Sequence, residues 1–204
     1  MRVLMIAQSV YGDGIGTVAS NLQASLSDQG YIVDIACFQD FSEEDAAVKE
    51  VRRRGGTVYN IPGLKKAGIL GYMREIEKLC SNNHYDAVHI HTGLFSWISA
   101  KAAKKCGVMK RIAHAHGQMT NLPKTVEKIV IHPFRLLNRY YCTDLIGCTE
   151  KSNLFTFGVK GTVIPNYIRT KRITDVPEEE IRNVRSDFDK DNKKKLFGFM
   201  GTLT

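Results

Sequence analysis

The sequence predicts an α/β fold built on a doubly wound parallel sheet, and three observations carry that prediction. Apolar runs of strand length alternate with helical stretches of about a dozen residues, as in a parallel sheet covered on both faces. The first run, residues 3–7, has the continuous apolar character of a strand buried on both sides. Gly12, Gly14 and Gly16 then lead into an amphipathic stretch over residues 15–29. Strand, glycine loop and helix make the unit from which Rossmann-like sheets are assembled.

In that first helix Val18, Leu22 and Leu26 recur every four residues, and Gly30 stands where a left-handed stop is wanted. A helix N-terminus behind a glycine loop can hold an anion, because free N–H groups and the positive dipole end face it. The segment from Gly14 to Ala19 matches G-x-G-x-x-A, the dinucleotide fingerprint, but six residues separate it from the strand. The nearest acids, Asp34 and Asp40, lie inside and beyond the second apolar run rather than at its end. A longer loop sweeping over a cleft fits that spacing better, while glycines serving a tight turn and close packing are the plain structural reading.

The second strand falls at residues 31–38. An acidic segment, 40–45, opens a helix that closes on Arg52, Arg53 and Arg54, an order that suits the macrodipole. Residues 57–61 form a third strand before Pro62 and Gly63, and 68–83 a helix with Ile69, Tyr72, Ile76 and Leu79 on one face. The fourth strand is 86–91, followed by a mostly apolar helix at 93–106 carrying Trp97. The fifth strand is 109–114, a long partly helical stretch occupies 124–141, and the sixth strand is 144–147. A short helix at 149–155 and a seventh strand at 162–165 complete the alternation. Residues 1–173 therefore read as one domain, and 174–195 as a charged linker with a helix starting at Pro177. Residues 196–204 turn apolar again and read as the first strand of a truncated second domain.

Five cysteines without a C-x-x-C spacing read as reduced, buried thiols. No charged-then-apolar leader is visible and no stretch reaches 18 apolar residues, so a cytoplasmic protein is expected. The net charge is +8, and residues 101–143 carry nine Lys or Arg against Glu127, which accounts for the whole excess. Such a region suits a polyanionic neighbour. No RNA-binding or DNA-reading signature accompanies it, so nucleic acid is not expected.

Four of the six histidines sit at two strand ends, His89 and His91 after the fourth, His114 and His116 after the fifth. Alternation by two puts each pair on one face. Two H-x-H pairs are conceivable metal ligands, but no Asp, Glu or Cys is placed to complete a site, and no metal is expected. His89 and His114 read as core residues. His116, past its strand and followed by Gly117, is positioned to meet a ligand. In parallel sheets ligands lie at the carboxyl ends of the strands, near the switch point.

Taken together, the strand at 2–7, the Gly14–Ile15–Gly16 loop, the segments from Asp86 to His91 and from Arg111 to His116, Ile146 to Thr149 and Val163 to Asn166 resemble the N-terminal domain of GT-B-fold glycosyltransferases of family 4, of the bacterial capsule and exopolysaccharide type, and Phe197 to Gly201 resembles the opening strand of their C-terminal domain. The resemblance implies a retaining transfer from a nucleotide-sugar, UDP- or GDP-linked, to a polysaccharide or lipid-linked acceptor, with no cofactor. It implies donor-phosphate contacts from Gly14, Ile15 and Gly16, and a catalytic role for His116. His91, Thr92, Gly117, Thr149 and Asn166 would line the acceptor cleft. Asp13 stands where many members have glycine, and Thr202 where an arginine is frequent. Two other classes compete: an NAD-dependent oxidoreductase, marked by an acid at the end of the second strand, and a non-catalytic module binding anions or membranes. Lys124, Lys128, Arg135 and Arg139 fall along one helical face and predict contact with an anionic membrane surface.

Overall fold

The computed structural model describes residues 1–117, 125, 127–166, 175–189 and 195. Seven strands, β1 (Arg2–Ala7), β2 (Ile32–Cys37), β3 (Val58–Asn60), β4 (Ala87–Ile90), β5 (Lys110–Ala115), β6 (Asp144–Gly147) and β7 (Thr162–Val163), form one sheet in the order β3-β2-β1-β4-β5-β6-β7. All six neighbouring pairs are parallel. The fold is therefore the α/β, doubly wound Rossmann-like sheet that the alternation predicts. Its winding reverses between β1 and β4, which fixes where a ligand cleft opens.

Strand alternation sorts the core into two layers. Val3, Met5, Val33 and Ile35 pack with α2 (Ala46–Arg53) and with Leu22 and Leu26 of α1 (Gly14–Asp28). Leu4, Ile6, Val88, Ile90 and Ala113 turn the other way, onto α3 (Leu64–Asn83), α4 (Ser96–Lys105) and Phe157 of a short helix, α6 (Glu150–Phe157). Between α3 and α4 the Tyr72 hydroxyl meets Ser99 Oγ at 2.7 Å, so this large, fully buried side chain has its polar atom satisfied.

Several boundaries differ from the expected ones for local reasons. The helix expected from residue 68 begins at Leu64, because Gly68, at φ 66°, bends the chain between a first turn and the main helix. The helix expected from Gly93 opens as a 3-10 turn over Gly93–Phe95 before α4. In the 124–141 stretch a π-helical turn, Glu127–Ile131, precedes α5 (His132–Tyr141), with Pro133 in the first turn where its missing N–H costs nothing. The acids at 43 and 44 lie ahead of α2 and pair with Arg52 and Lys49, while Arg53 and Arg54 share Glu50. That arginine run is a neutralised helix end.

Residues 1–167 form one compact unit and 168–204 a second. In the second, α7 (Glu178–Phe188) starts after Pro177 with three glutamates in its first turn, as the macrodipole favours. The expected boundary at 173 and 174, and the strand expected at 196–204, lie outside the described residues. Among the described residues no helix is long and apolar enough to cross a membrane. All five cysteines are free, and burial pushes the thiols of Cys80 and Cys142 up to about 12.

Candidate functional site

A cleft of about 1160 Å³ opens outside the carboxyl ends of β1 to β5. Its floor is made by chain leaving the strands: Gln8 after β1, Phe38 after β2, Ile61 after β3, His91 and Thr92 after β4, His116 and Gly117 after β5. Leu64, Lys65 and Lys66 at the start of α3, and Phe155 and Thr156 of α6, form its sides. Both ends of the winding reversal thus contribute, as the switch-point rule requires.

The four histidines gather on one sheet face. β4 pairs with β5 so that Ile90 lies opposite Ala113, which sets His91 level with His114 one residue on. His89 lies opposite Met5 of β1, on the α1 side. Ring centroids stand 5.3 Å apart for His89 and His114, and 5.0 Å for His91 and His116. His89, His91 and His114 are buried, while His116 is partly open to the cleft. Burial holds all four below the usual imidazole value, with the neighbouring rings adding to the effect on His89, His91 and His114. His89 falls to about 4 and His114 to about 3, so the cluster is neutral at pH 7.

His116 is held from both sides. Its Nε2 lies 2.7 Å from His91 Nδ1, and its Nδ1 lies 3.1 Å from Asn166 Oδ1. Cys148, entering α6, donates its thiol to the His116 carbonyl at 3.2 Å. Nitrogens of His89, His91 and His114 approach within 4.8 Å of one another, close enough to consider a cation. The planes of His89 and His114 are 8° apart and stacked, however. Lone pairs lie in the ring plane, so stacked parallel rings do not aim at one ion.

Asp13 shapes the glycine loop from within. Asp13 caps α1, with its Oδ1 accepting from Gly16 N–H at 2.7 Å, and its other oxygen accepts from Ser9 Oγ. A side chain on Gly16 would press on the backbone of Ser9 and Tyr11, so close packing alone demands glycine there. Gly14 has nothing within 4 Å of the position a Cβ would take. Ile15 lines the cleft. Of the other expected residues, His91, Thr92, His116 and Gly117 line the cleft and Asn166 joins through His116. Thr149 is not among the lining residues; it caps α6 in a reciprocal pair with Ser152.

The sequence reading missed Asp13 as a cap and the apolar arm made by Phe38, Ile61 and Leu64. Applying the strand-end rule to the second and third strands would have found that arm. β2 ends on Cys37 rather than on the acid an oxidoreductase requires, and the next acid, Asp40, lines the cleft three residues further on. Asp34 is fully buried mid-strand, where it accepts from Arg2 Nε at 2.9 Å, the Tyr85 hydroxyl at 2.7 Å and Thr57 N–H at 2.7 Å.

The model of glycosyltransferase family 4 matches residues 12–172. The chain belongs to that family. EpsF of Bacillus subtilis (strain 168), which carries a glycosyltransferase name, is 24% identical over 159 residues, 77% of this chain and 41% of its own. A glycosyltransferase from Rickettsia africae superposes with a TM-score of 0.66 at 16% identity, over 94% of this chain and 50% of that one. HepE of Anabaena, solved with UDP and glucose, gives 0.58 at 16% identity, over 94% and 51%. The family 4 chain described here thus spans about half the length of these relatives, and its fold is that of their GT-B glycosyltransferase neighbours.

Of the expected basic face, the placement of Arg135 needs correction. Arg135 points inward across α6, donating Nε to the Phe155 carbonyl at 2.8 Å. Lys124 and the side chain of Lys128 lie outside the described residues, and Arg139 is exposed. The proposed basic stripe therefore breaks at Arg135. Instead, Ile129 (71% exposed), Leu136 (47%) and Tyr140 (68%) face outward. Lys104 lies over the Tyr140 ring, 4.9 Å from its centroid.

Proposed function

We propose that this family 4 domain is the N-terminal half of a retaining glycosyltransferase that moves a sugar from a nucleotide-sugar to a polysaccharide or lipid-linked acceptor, with no resident cofactor. The observation that carries this reading is His116, neutral and oriented, in the wall of a cleft at the switch point. HepE, a relative by fold, holds UDP and glucose. Breaking a sugar–phosphate bond builds negative charge on the leaving diphosphate and positive charge on the ring. A neutral imidazole suits that ring: it orients a hydroxyl without adding a repelling charge. Lys65 and Lys66 at the rim favour a phosphorylated ligand. In the intact enzyme His116→Ala should slow transfer of UDP- or GDP-linked sugars on the order of 100-fold, about 3 kcal/mol of transition-state stabilisation, with a small change in melting temperature. Turnover within a few-fold of wild type would overturn the assignment.

The same reading places the enzyme in the cytoplasm, on an anionic membrane surface where lipid-linked acceptors are found. Its support is the exposure of Ile129, Leu136 and Tyr140, with Lys104 over the Tyr140 ring, Lys101 over the Tyr141 ring and Arg139 exposed next in sequence to Tyr140. Apolar side chains enter the acyl boundary while cations meet headgroups.

A further inference from the structure

Two hydrogen bonds in series run through His116, and a single proton assignment satisfies them with least cost. His91 Nδ1 and His116 Nε2 are 2.7 Å apart, so one carries a proton and the other does not. His91 Nε2 is buried and has no hydrogen-bond partner among the described residues. Were the shared proton on His116 Nε2, neutral His91 would carry its own proton on that orphaned Nε2. A buried N–H without an acceptor is the rarer and costlier defect; neutral His114, whose two ring nitrogens are both unpartnered among the described residues, already carries one, and this tautomer would add a second beside it. The proton therefore belongs on His91 Nδ1, which donates to His116 Nε2. Neutral His116 then carries its proton on Nδ1 and donates it to Asn166 Oδ1, 3.1 Å away.

Asn166 cannot impose this direction, because its exposed amide can flip to present either oxygen or nitrogen. His91 can, because burial fixes its ring and burial keeps it neutral. We propose that His91 is a positioning residue that locks His116 in its Nδ1–H tautomer, so that His116 meets the cleft as a hydrogen-bond donor, with Asn166 Oδ1 occupying the place a ligand oxygen takes. In this arrangement His116 Nε2 is already occupied by His91, so His116 orients a sugar or phosphate oxygen and does not act as a general base. The identity of that oxygen rests on the glycosyltransferase reading; the tautomer does not.

The test is a long-range ¹H–¹⁵N correlation spectrum of the histidine rings at pH 7.5, with His116 assigned by His116→Gln. Wild-type protein should show His116 protonated on Nδ1. His91→Phe, which keeps a flat ring and removes the donor, should shift the pattern toward Nε2–H, the form free imidazole side chains prefer. His91→Asn, whose amide nitrogen stands near the Nδ1 position, should restore the wild-type pattern and keeps the comparison open if the larger ring disturbs folding. Nε2–H at His116 in wild type, or an Nδ1–H pattern that survives His91→Phe, overturns the proposal. No substrate is present, so failure here is separate from failure of the transfer assay.

Discussion

The Asp13 carboxylate accepts a hydrogen bond from the Gly16 amide at 2.7 Å, so the protein's own anion sits at the positive end of α1. That is the place where the family resemblance puts a donor phosphate. The cap contributes about 1 kcal/mol to stability, and Asp13→Ala should lose it in urea denaturation. Asp13→Asn keeps a capping oxygen but removes the charge, so it should bind UDP more tightly than wild type by calorimetry. Equal affinity would show that the carboxylate does not compete with phosphate.

Gly14 and Gly16 separate two meanings of a glycine loop. A Cβ on Gly16 would come within 3.0 Å of the Ser9 carbonyl oxygen and 3.1 Å of the Tyr11 amide, both backbone atoms that cannot rotate away. Gly16→Ala should therefore cost about 1–3 kcal/mol. Gly14→Ala has open space and should leave the melting temperature nearly unchanged while affecting any ligand that approaches the loop. Equal destabilisation by both would contradict this geometry.

The histidine cluster makes stability pH-dependent in a stated direction. In the unfolded chain an imidazole titrates near 6.5, whereas folded His89 titrates near 4 and His114 near 3. The unfolded state therefore binds more protons between these values, and folding is fully favoured only above about 6.5. By pH 5 each of these two rings subtracts about 2 kcal/mol. Urea midpoints should fall between pH 7.5 and 5, and His89→Phe should flatten the dependence. A midpoint indifferent to pH in that range would mean the rings are hydrated.

Membrane contact should depend on the exposed apolar side chains as well as on charge. Leu136→Ser with Tyr140→Ser should weaken sedimentation with phosphatidylglycerol liposomes, and so should Lys104→Gln with Arg139→Gln. Each basic residue near an anionic surface contributes about 1 kcal/mol. Arg135→Gln should not act through the membrane, because its guanidinium is tied to Phe155. Binding unaffected by the first two pairs, or equal on neutral lipid, would exclude this face.

Much of the fold was legible because burial leaves a periodic trace. A run such as residues 3–7 must be apolar to lie inside a parallel sheet, and the helices that cover it must be amphipathic. The basic stripe misled because a helical projection gives angle but not neighbour. It placed Arg135 with Arg139, yet α6 lies against one and solvent against the other.

By itself, the sequence determined the α/β class, the strand-end location of the histidines and the family, since these rest on periodicity, local spacing and motif order. Only the tertiary structure decided which strands are neighbours, and with them the chemistry of the site. Strand order places His91 level with His114 and within 2.7 Å of His116, across 25 residues of sequence. It also engages Gly16 with Asp13, Thr149 with Ser152 and Asp34 with Arg2. Hydrogen bonds and desolvation act over a few ångströms of space, so protonation and free donors are set by contacts that sequence spacing does not encode.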